Sequence, residues 1–242
     1  MILLIDYDNL PRSLMEANLR QVMEILLAKV DLSARAPINR ISSRLYGGWL
    51  KGKSLSFKAR QLLEQINDYF PLALSTTDHG KVIVVTELAR SLARDPQHDF
   101  THTFRLRSKP EFRVKLFPLR DCVEPLNCRI KEVNSFVYNN LCPRANCNVT
   151  PEAAFYKAEQ KLVDSMIVVD LVHYAIHHQE HIVLVSGDDD MWPGIRYALL
   201  QDAMITHVIP KRPRYGKNPY RKLSTQNYTP ITLYQETETD VI

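Results

Sequence analysis

Three groups of polar residues lie far apart in the chain, and each adjoins an apolar or helix-like segment. They are Asp6, Asp8 and Asn9, then Asp164, and then Ser186, Asp188, Asp189 and Asp190. Carboxylates that are packed together repel each other unless a cation neutralises them. Hard divalent cations prefer oxygen ligands, and a water activated on such an ion can attack a phosphodiester. The residue types therefore indicate metal-assisted hydrolysis, provided that the chain brings the three groups together.

A purely structural explanation exists for each of these acids when it is taken alone. Aspartate is a common residue at helix N-termini and in turns, because its side chain accepts backbone hydrogen bonds. The run Asp188-Asp189-Asp190 exceeds what one helix cap needs. We expect Asp189, the central residue of the run, to point away from the other two.

The order of apolar segments predicts an α/β fold with a mostly parallel sheet. Residues 2–5, 181–185 and 205–209 are short apolar runs of the type that forms buried parallel strands. Helix-like stretches at 164–178 and 193–201 alternate with them. Such alternation is typical of βαβ units.

A parallel sheet of this kind would bring the acids to one edge. Ligand sites in open parallel sheets lie beyond the carboxyl ends of the strands. Asp6 and Asp188 both follow predicted strands, and Asp164 begins a predicted helix whose start can face the same cleft. We therefore expect Asp6, Asp164 and Asp188 to lie within reach of one shared cation.

Three short motifs at these positions resemble a known family. Residues 2–10 form an apolar run followed by Asp-x-x-Asn; residues 161–170 contain Lys-x-x-Asp, an apolar stretch and a second Asp; residues 186–193 read Ser-Gly-Asp-x-Asp and end in Pro. In this order the motifs resemble the NYN domain family, a branch of the PIN-like ribonucleases. Three positions depart from the family pattern, with Tyr7 and Asp189 in place of small residues and Met191 in place of an aromatic one.

The resemblance implies a Rossmann-like three-layer α/β/α fold and metal-dependent cleavage of RNA, most simply as an endoribonuclease. It also assigns roles: Asp6, Asp164 and Asp188 would hold Mg²⁺ or Mn²⁺, Asp190 would complete the site or orient a water, and Asn9 and Ser186 would position ligands or phosphate. Asp170, six residues after Asp164, would point about 120° away on a helix, so we expect it to have a supporting role.

All four cysteines lie in one stretch with little hydrophobic periodicity. Their spacing is Cys122-x5-Cys128-x13-Cys142-x4-Cys147, which suits a structural zinc site apart from the wide first gap. Four free thiols are the alternative. We expect residues 119–150 to be an insertion into a single domain that covers residues 1–242.

The C-terminal segment, residues 210–242, begins with cations interleaved with tyrosines and carries no acid between residues 211 and 222. Its basic residues are Lys211, Arg212, Arg214, Lys217, Arg221 and Lys222. Cations and aromatic rings can contact phosphates and stack on unpaired bases. With a net charge of +4, the chain suits RNA as a partner, with DNA as the alternative; a solvated basic loop is the structural explanation.

Two other functions fit parts of the pattern. A haloacid dehalogenase-like phosphatase would use Asp6 as nucleophile and Asp8 as general acid, although Asn9 and Trp192 depart from that family's motifs. A non-catalytic RNA-binding protein of the same fold is the third alternative. The chain has no apolar run of membrane-spanning length and no recognisable export signal, so we expect a cytoplasmic protein that is independent of membranes.

Overall fold

A computed structural model describes residues 1–30, 38–76, 80–107, 129–155, 157–177, 181–210 and 225–233. The chain divides into two compact units: Met1–Phe104 with Gln160–Ile242, and Arg105–Glu159. The first unit holds the main sheet and all the candidate metal-binding acids. The second unit spans the whole of the predicted insertion at 119–150 and has wider bounds.

The described strands and helices follow each other along the chain without an internal repeat. In order they are β1 Ile2–Asp6, α1 Arg12–Glu16, α2 Leu19–Leu27, β2 Arg40–Tyr46, β3 Leu50–Lys51, β4 Ser54–Leu55, α3 Phe57–Tyr69, β5 Leu72–Thr76, β6 Gly80–Leu88, β7 Phe104–Arg107, α4 Ile130–Asn139, α5 Pro151–Ala154, β8 Lys157–Gln160, α6 Val163–His177, β9 Ile182–Val185, α7 Trp192–Leu200, β10 Ile205–Ile209 and β11 Tyr228–Thr232.

Seven strands form one sheet in the order β11-β10-β9-β1-β2-β6-β5, and every neighbouring pair is parallel except β5 and β6. Strand β1 lies between β2 and β9, with Ile2 opposite Ser42 on one side and Ile182 on the other. From β1 the chain builds outward through β2 and β6, and it later returns to build outward from β9 through β10 and β11. The boundary between β1 and β9 is therefore the topological switch point, where such sheets bind ligands. The predicted α/β class with a mostly parallel sheet is confirmed.

Helices cover both faces of the sheet because adjacent residues of each buried strand point to opposite sides. Leu3 and Ile5 of β1 pack in one apolar cluster with α2 and α3, whereas Ile2 and Leu4 pack in another with α6 and α7. All five residues of β1 and all four of β9 are buried, which explains why both strands are apolar throughout except for the terminal Asp6 of β1. Helices on both faces are compatible with the predicted three-layer arrangement.

Several boundaries differ from the sequence-based expectation. The sequence allows residues 82–85 to form a strand or to continue into a helix around 87–94; the structure has strand β6 up to Leu88 and no helix in residues 89–94. In the second unit, α4 lies in a stretch that was expected to have little regular structure. Residues 112–117, whose alternation of apolar and charged residues predicts a strand, lie outside the described residues. None of the helices in the described ranges is both long and apolar enough to cross a bilayer.

Candidate metal centre

The end of β1 and the turn after β9 are joined by a buried hydroxyl. Ser186 is fully buried, and its Oγ donates a 2.9 Å hydrogen bond to Oδ2 of Asp6. The same Oγ accepts a 3.1 Å hydrogen bond from the backbone N–H of Asp188. These two bonds fix the last residue of β1 against the loop that carries the third group of acids.

Three carboxylates meet at this edge of the sheet. Asp164, in the first turn of α6, and Asp188 and Asp190, in the turn after β9, each offer an oxygen, and these oxygens lie within 4.8 Å of one another. Asp188 also accepts a 3.1 Å hydrogen bond from the backbone N–H of Asp190, which orders the short 3-10 turn between them. Among the described residues this is the one group of three or more acids, histidines or cysteines with such spacing.

The predicted trio and the observed trio differ in one member. Asp6 was expected to share the ion directly with Asp164 and Asp188, but Asp190 takes the third place in the close group. Asp6 is set behind them, 4% exposed, with Ser186 between it and the turn that holds Asp188. Asp6 therefore acts on the site through its charge and through Ser186 rather than as a member of the close group.

The electrostatics of these acids are unfavourable without a counter-ion. The pKa of Asp6 is raised to about 7, chiefly by burial; the hydrogen bond from Ser186 acts in the opposite direction, and the charges of Asp164, Asp8 and Asp188 add to the rise. Partial desolvation, followed by the charges of Asp188 and Asp190, also raises the pKa of Asp164. Both shifts have the direction expected where carboxylates are crowded and uncompensated.

The donor set has the chemistry of a hard-cation site. All three close ligand atoms are carboxylate oxygens, and the group contains neither histidine nor cysteine. Such a set suits Mg²⁺ or Mn²⁺, which favour oxygen ligands and retain several waters, and it does not suit a tetrahedral zinc site.

A chain of buried hydrogen bonds supports Ser186 from behind. Nε2 of His207, on β10, lies 2.9 Å from the carbonyl oxygen of Ser186, and Nδ1 lies 2.9 Å from the hydroxyl oxygen of Tyr228, on β11. Because a carbonyl only accepts, Nε2 carries the proton and donates, and Nδ1 then accepts from Tyr228. Trp192 packs edge-on against His207, with ring centroids 5.6 Å apart. Outer-shell bonds of this kind hold ligand-bearing loops in one orientation.

Asp8 is occupied by structural contacts. Its Oδ1 forms an ion pair with Lys58, and its Oδ2 accepts from the backbone N–H of Gly48 at 2.9 Å and from the side chain of Gln160. A Cβ on Gly47 would come within 2.7 Å of Asp8 Oδ2, so this turn must approach the carboxylate without a side chain. Both carboxylate oxygens of Asp8 are thus engaged as acceptors within the protein, which disfavours the general-acid role that the phosphatase alternative needs.

Asp170 lies in the core beneath the site. It is fully buried; its Oδ2 accepts a 2.6 Å hydrogen bond from the hydroxyl of Tyr46, and its Oδ1 accepts a 2.8 Å bond from the backbone N–H of Ala93. Nε of Arg44 lies 3.6 Å from Oδ2. These contacts fit the predicted supporting role, since Asp170 anchors α6 to β2 and to the loop after β6.

Asn9 and Ser186, which were predicted to position ligands or phosphate, both lie in the described part of the chain. Asn9 ends the 3-10 turn that follows β1 and is half-buried. Ser186 was assigned to ligand or phosphate positioning, but its burial and its bond to Asp6 favour an indirect role in orienting that carboxylate.

Of the four predicted zinc ligands, Cys142 and Cys147 are described, and Cys122 and Cys128 lie outside the described residues. A backbone hydrogen bond to Val149 and the neighbouring thiol of Cys142 lower the pKa of Cys147. The backbone N–H of Cys142 donates to the carbonyl of Val149 at 3.1 Å, which closes the loop between the two thiols. The zinc prediction stays open.

The predicted RNA-contacting tail also lies outside the described residues, and it therefore stays a prediction. Its members are Lys211, Arg212, Arg214, Lys217, Arg221 and Lys222.

Several residues at the site had no signal in the sequence. Lys58 and Gln160 contact Asp8 across separations of 50 and 152 residues, and His207 reaches Ser186 from a strand that reads as ordinary core. Leu162, directly before α6, has a φ of 71°, which non-glycine residues rarely adopt. Only coordinates could have revealed these features.

Comparison of this chain with protein-family models, with curated proteins and with solved structures found no match. The function must therefore be inferred from the site itself.

Proposed function

We propose that this protein is a divalent-metal-dependent ribonuclease that hydrolyses phosphodiester bonds within an RNA strand. The observation that carries the proposal is the meeting of Asp164, Asp188 and Asp190 within 4.8 Å beside the topological switch point of the sheet. Asp6 lies behind them with a pKa raised to about 7. A fold that keeps such uncompensated carboxylates together is best explained by a cation that binds them.

Each residue has a distinct role in this proposal. Asp164 and Asp188 would supply oxygen ligands from α6 and from the turn after β9, and Asp190 would complete the set or orient a water. Asp6 would adjust the charge of the site, and Ser186 would hold Asp6 in place. A divalent cation bound there would activate a water for in-line attack on the phosphodiester and offset the charge of the leaving oxygen.

RNA is the proposed substrate because the sequence motifs resemble those of the NYN family and because the chain carries a net charge of +4 with a basic segment after β10. A polyanion would be attracted by that charge, and its phosphate groups are natural ligands for a hard cation. DNA shares the phosphate chemistry, so the test must include both nucleic acids.

The test is cleavage of end-labelled single-stranded RNA and DNA by the full chain in Mn²⁺, in Mg²⁺ and in EDTA. We expect internal cuts in RNA with either ion and none in EDTA. Asp188→Asn should lower the rate at least about 1,000-fold, since several kcal/mol of transition-state stabilisation depend on the ion. Asp68→Asn is the matched control, because Asp68 is an exposed acid on α3.

Equal cleavage by the wild type and Asp188→Asn would reject the assigned site. Binding of RNA without any cut in Mn²⁺ would instead favour a non-catalytic RNA-binding protein. A phosphorylated Asp6 after incubation with a phosphomonoester would point to the phosphatase alternative.

A further inference from the structure

A groove of about 1010 Å³ opens between α6 and α7, directly beside the acid cluster. We call it the α6–α7 groove. Asp164 and Asp190 belong both to the acid cluster and to the lining of the groove, so a cation bound by these acids would lie at the border of the groove. The volume is at the upper end of the range for small-molecule sites, which leaves room for a nucleotide and its hydration.

The walls of the groove are apolar on both sides. Val168 and Val169 line it from α6, and Pro193 lines it from α7, with Trp192, which is 4% exposed, beneath the surface of that wall. Gly194 brings the two helices close, because a Cβ at that position would meet a methyl of Val168 at 3.1 Å. Val169 is 45% exposed although it is aliphatic, so the groove presents apolar surface to solvent.

The groove also carries one cation and one hydroxyl. Arg196 lies on α7, four residues after Trp192, and its side chain is exposed. Within the described ranges Arg196 has no ion-pair partner, although Asp189 and Asp190 line the same groove. Ser165, on α6, adds a hydroxyl to the opposite wall.

This arrangement matches the repeating chemistry of a nucleic-acid strand, which alternates anionic phosphates with bases that have apolar faces and polar edges. A cation held by Asp164 and Asp190 would lie at one end of the groove, apolar walls follow, and Arg196 supplies the second positive charge. A fatty acid or another ligand with a single anionic end would leave one of these two charges without a partner.

We propose that the α6–α7 groove is a nucleotide subsite, in which the base beside the scissile phosphate packs against the exposed side chains of Val169 and Pro193, next to the buried ring of Trp192. Arg196 contacts the next phosphate along the strand, and Ser165 hydrogen-bonds the edge of the base. The inference rests on the proposed function, since it takes the acid cluster as the place where the scissile phosphate binds.

The test is titration of the full chain with adenosine and uridine 3′,5′-bisphosphates in Mg²⁺, followed through the indole N–H signals in ¹⁵N-edited NMR spectra. The chain has two tryptophans, and Trp49 lies in the opposite core cluster, so it serves as an internal reference. We expect the Trp192 signal to shift on binding and the Trp49 signal to stay. Inorganic phosphate, which has no base, should not reproduce the shift.

Matched variants separate the groove from general effects. Val169→Asp and Arg196→Ala should each weaken bisphosphate binding at least fivefold and raise the KM for RNA with little change in kcat. Ile25→Asp and Arg20→Ala are the controls, because both residues lie on α2 on the other face of the sheet and Ile25 is 43% exposed. Both controls should bind as the wild type does.

The inference is overturned if the bisphosphates bind without shifting the Trp192 indole signal, if both groove variants bind the bisphosphates as the wild type does, or if no binding occurs at millimolar concentration. RNA cleavage is scored separately. Cleavage without binding in the groove would reject this inference alone, whereas binding in the groove without metal-dependent cleavage would reject the proposed ribonuclease and leave a nucleotide site.

Discussion

Helix α6 carries two aspartates, Asp164 in its first turn and Asp170 six residues later, and the surroundings of their carboxylates are opposite in character. Asp170 is fully buried, yet a tyrosine hydroxyl, a backbone N–H and an arginine surround its carboxylate. Asp164 is exposed and faces two further carboxylates. The more deeply buried acid is therefore the better compensated one.

The difference shows what this fold can supply when a carboxylate serves structure alone. Arg44 lies on β2 within 3.6 Å of Asp170, and burial together with the charge of Asp170 raises the pKa of Tyr46 well above its usual value, so its hydroxyl stays a donor. The described residues place no comparable cation among Asp164, Asp188 and Asp190. Because these acids lie at the C-terminal edge of a parallel sheet without such a compensating charge, we expect a cation from solution to bind them.

The largest effect on stability should follow from removing the carboxylate of Asp170, the compensated acid. Asp170→Ala leaves Arg44 without its buried partner and deprives Tyr46 and Ala93 of their acceptor. We expect a loss of about 3 to 5 kcal/mol in the free energy of unfolding, as for other broken buried ion pairs. Urea denaturation followed by circular dichroism measures it, and Tyr46→Phe gives a milder variant that should still fold.

Asp164→Asn is the direct counterpart on the same helix, and in EDTA it should leave stability unchanged or slightly raised. If Asp164→Asn destabilises the protein as much as Asp170→Ala does, both acids are structural and the contrast between them disappears.

The second-largest effect should be stabilisation of the folded protein by a divalent cation bound to Asp164, Asp188 and Asp190. At a concentration 100-fold above its Kd, Mg²⁺ or Mn²⁺ should raise the free energy of unfolding by about 2.7 kcal/mol, because it binds the native state alone. Differential scanning fluorimetry with and without the ion measures the shift in Tm. The shift should vanish in Asp164→Asn and persist in Asp68→Asn; a shift of equal size in both variants would place the ion elsewhere.

The sequence predicted the positions of the acids because each lies at the end of a strand or the start of a helix with a strong local signal. The runs that became β1 and β9 are continuous and apolar, so their carboxyl ends, and with them Asp6 and Asp188, could be assigned to one edge. The start of α6 likewise followed from its apolar periodicity. Parallel topology then required these residues to be near one another.

The fine structure of the site could not be predicted, since it depends on residues brought together from distant parts of the chain. Asp190 takes the place expected for Asp6 in the close group, and Asp6 instead accepts a hydrogen bond from the buried hydroxyl of Ser186, a residue 180 positions away in the chain. The pairing of Asp8 with Lys58 depends on where α3 lies against β1. Helix α4 was not predicted, because the stretch that contains it has little hydrophobic periodicity over most of its length.

The smallest effect is a pH dependence of stability in EDTA. The pKa of Asp6 is raised to about 7 in the folded protein, so folding favours its protonated form. Its contribution is fully present below the unfolded pKa near 4 and is lost as the pH rises through about 7, a fall of about 2 kcal/mol between pH 5 and pH 8. Asp6→Asn has no proton to lose there, so its stability curve should be flatter by that amount.

Bound Mg²⁺ should reduce the fall in the wild type, because the cation favours the ionised carboxylate. Urea unfolding of both proteins at several pH values provides the comparison, and parallel curves for the wild type and Asp6→Asn would mean that Asp6 is as well compensated as Asp170.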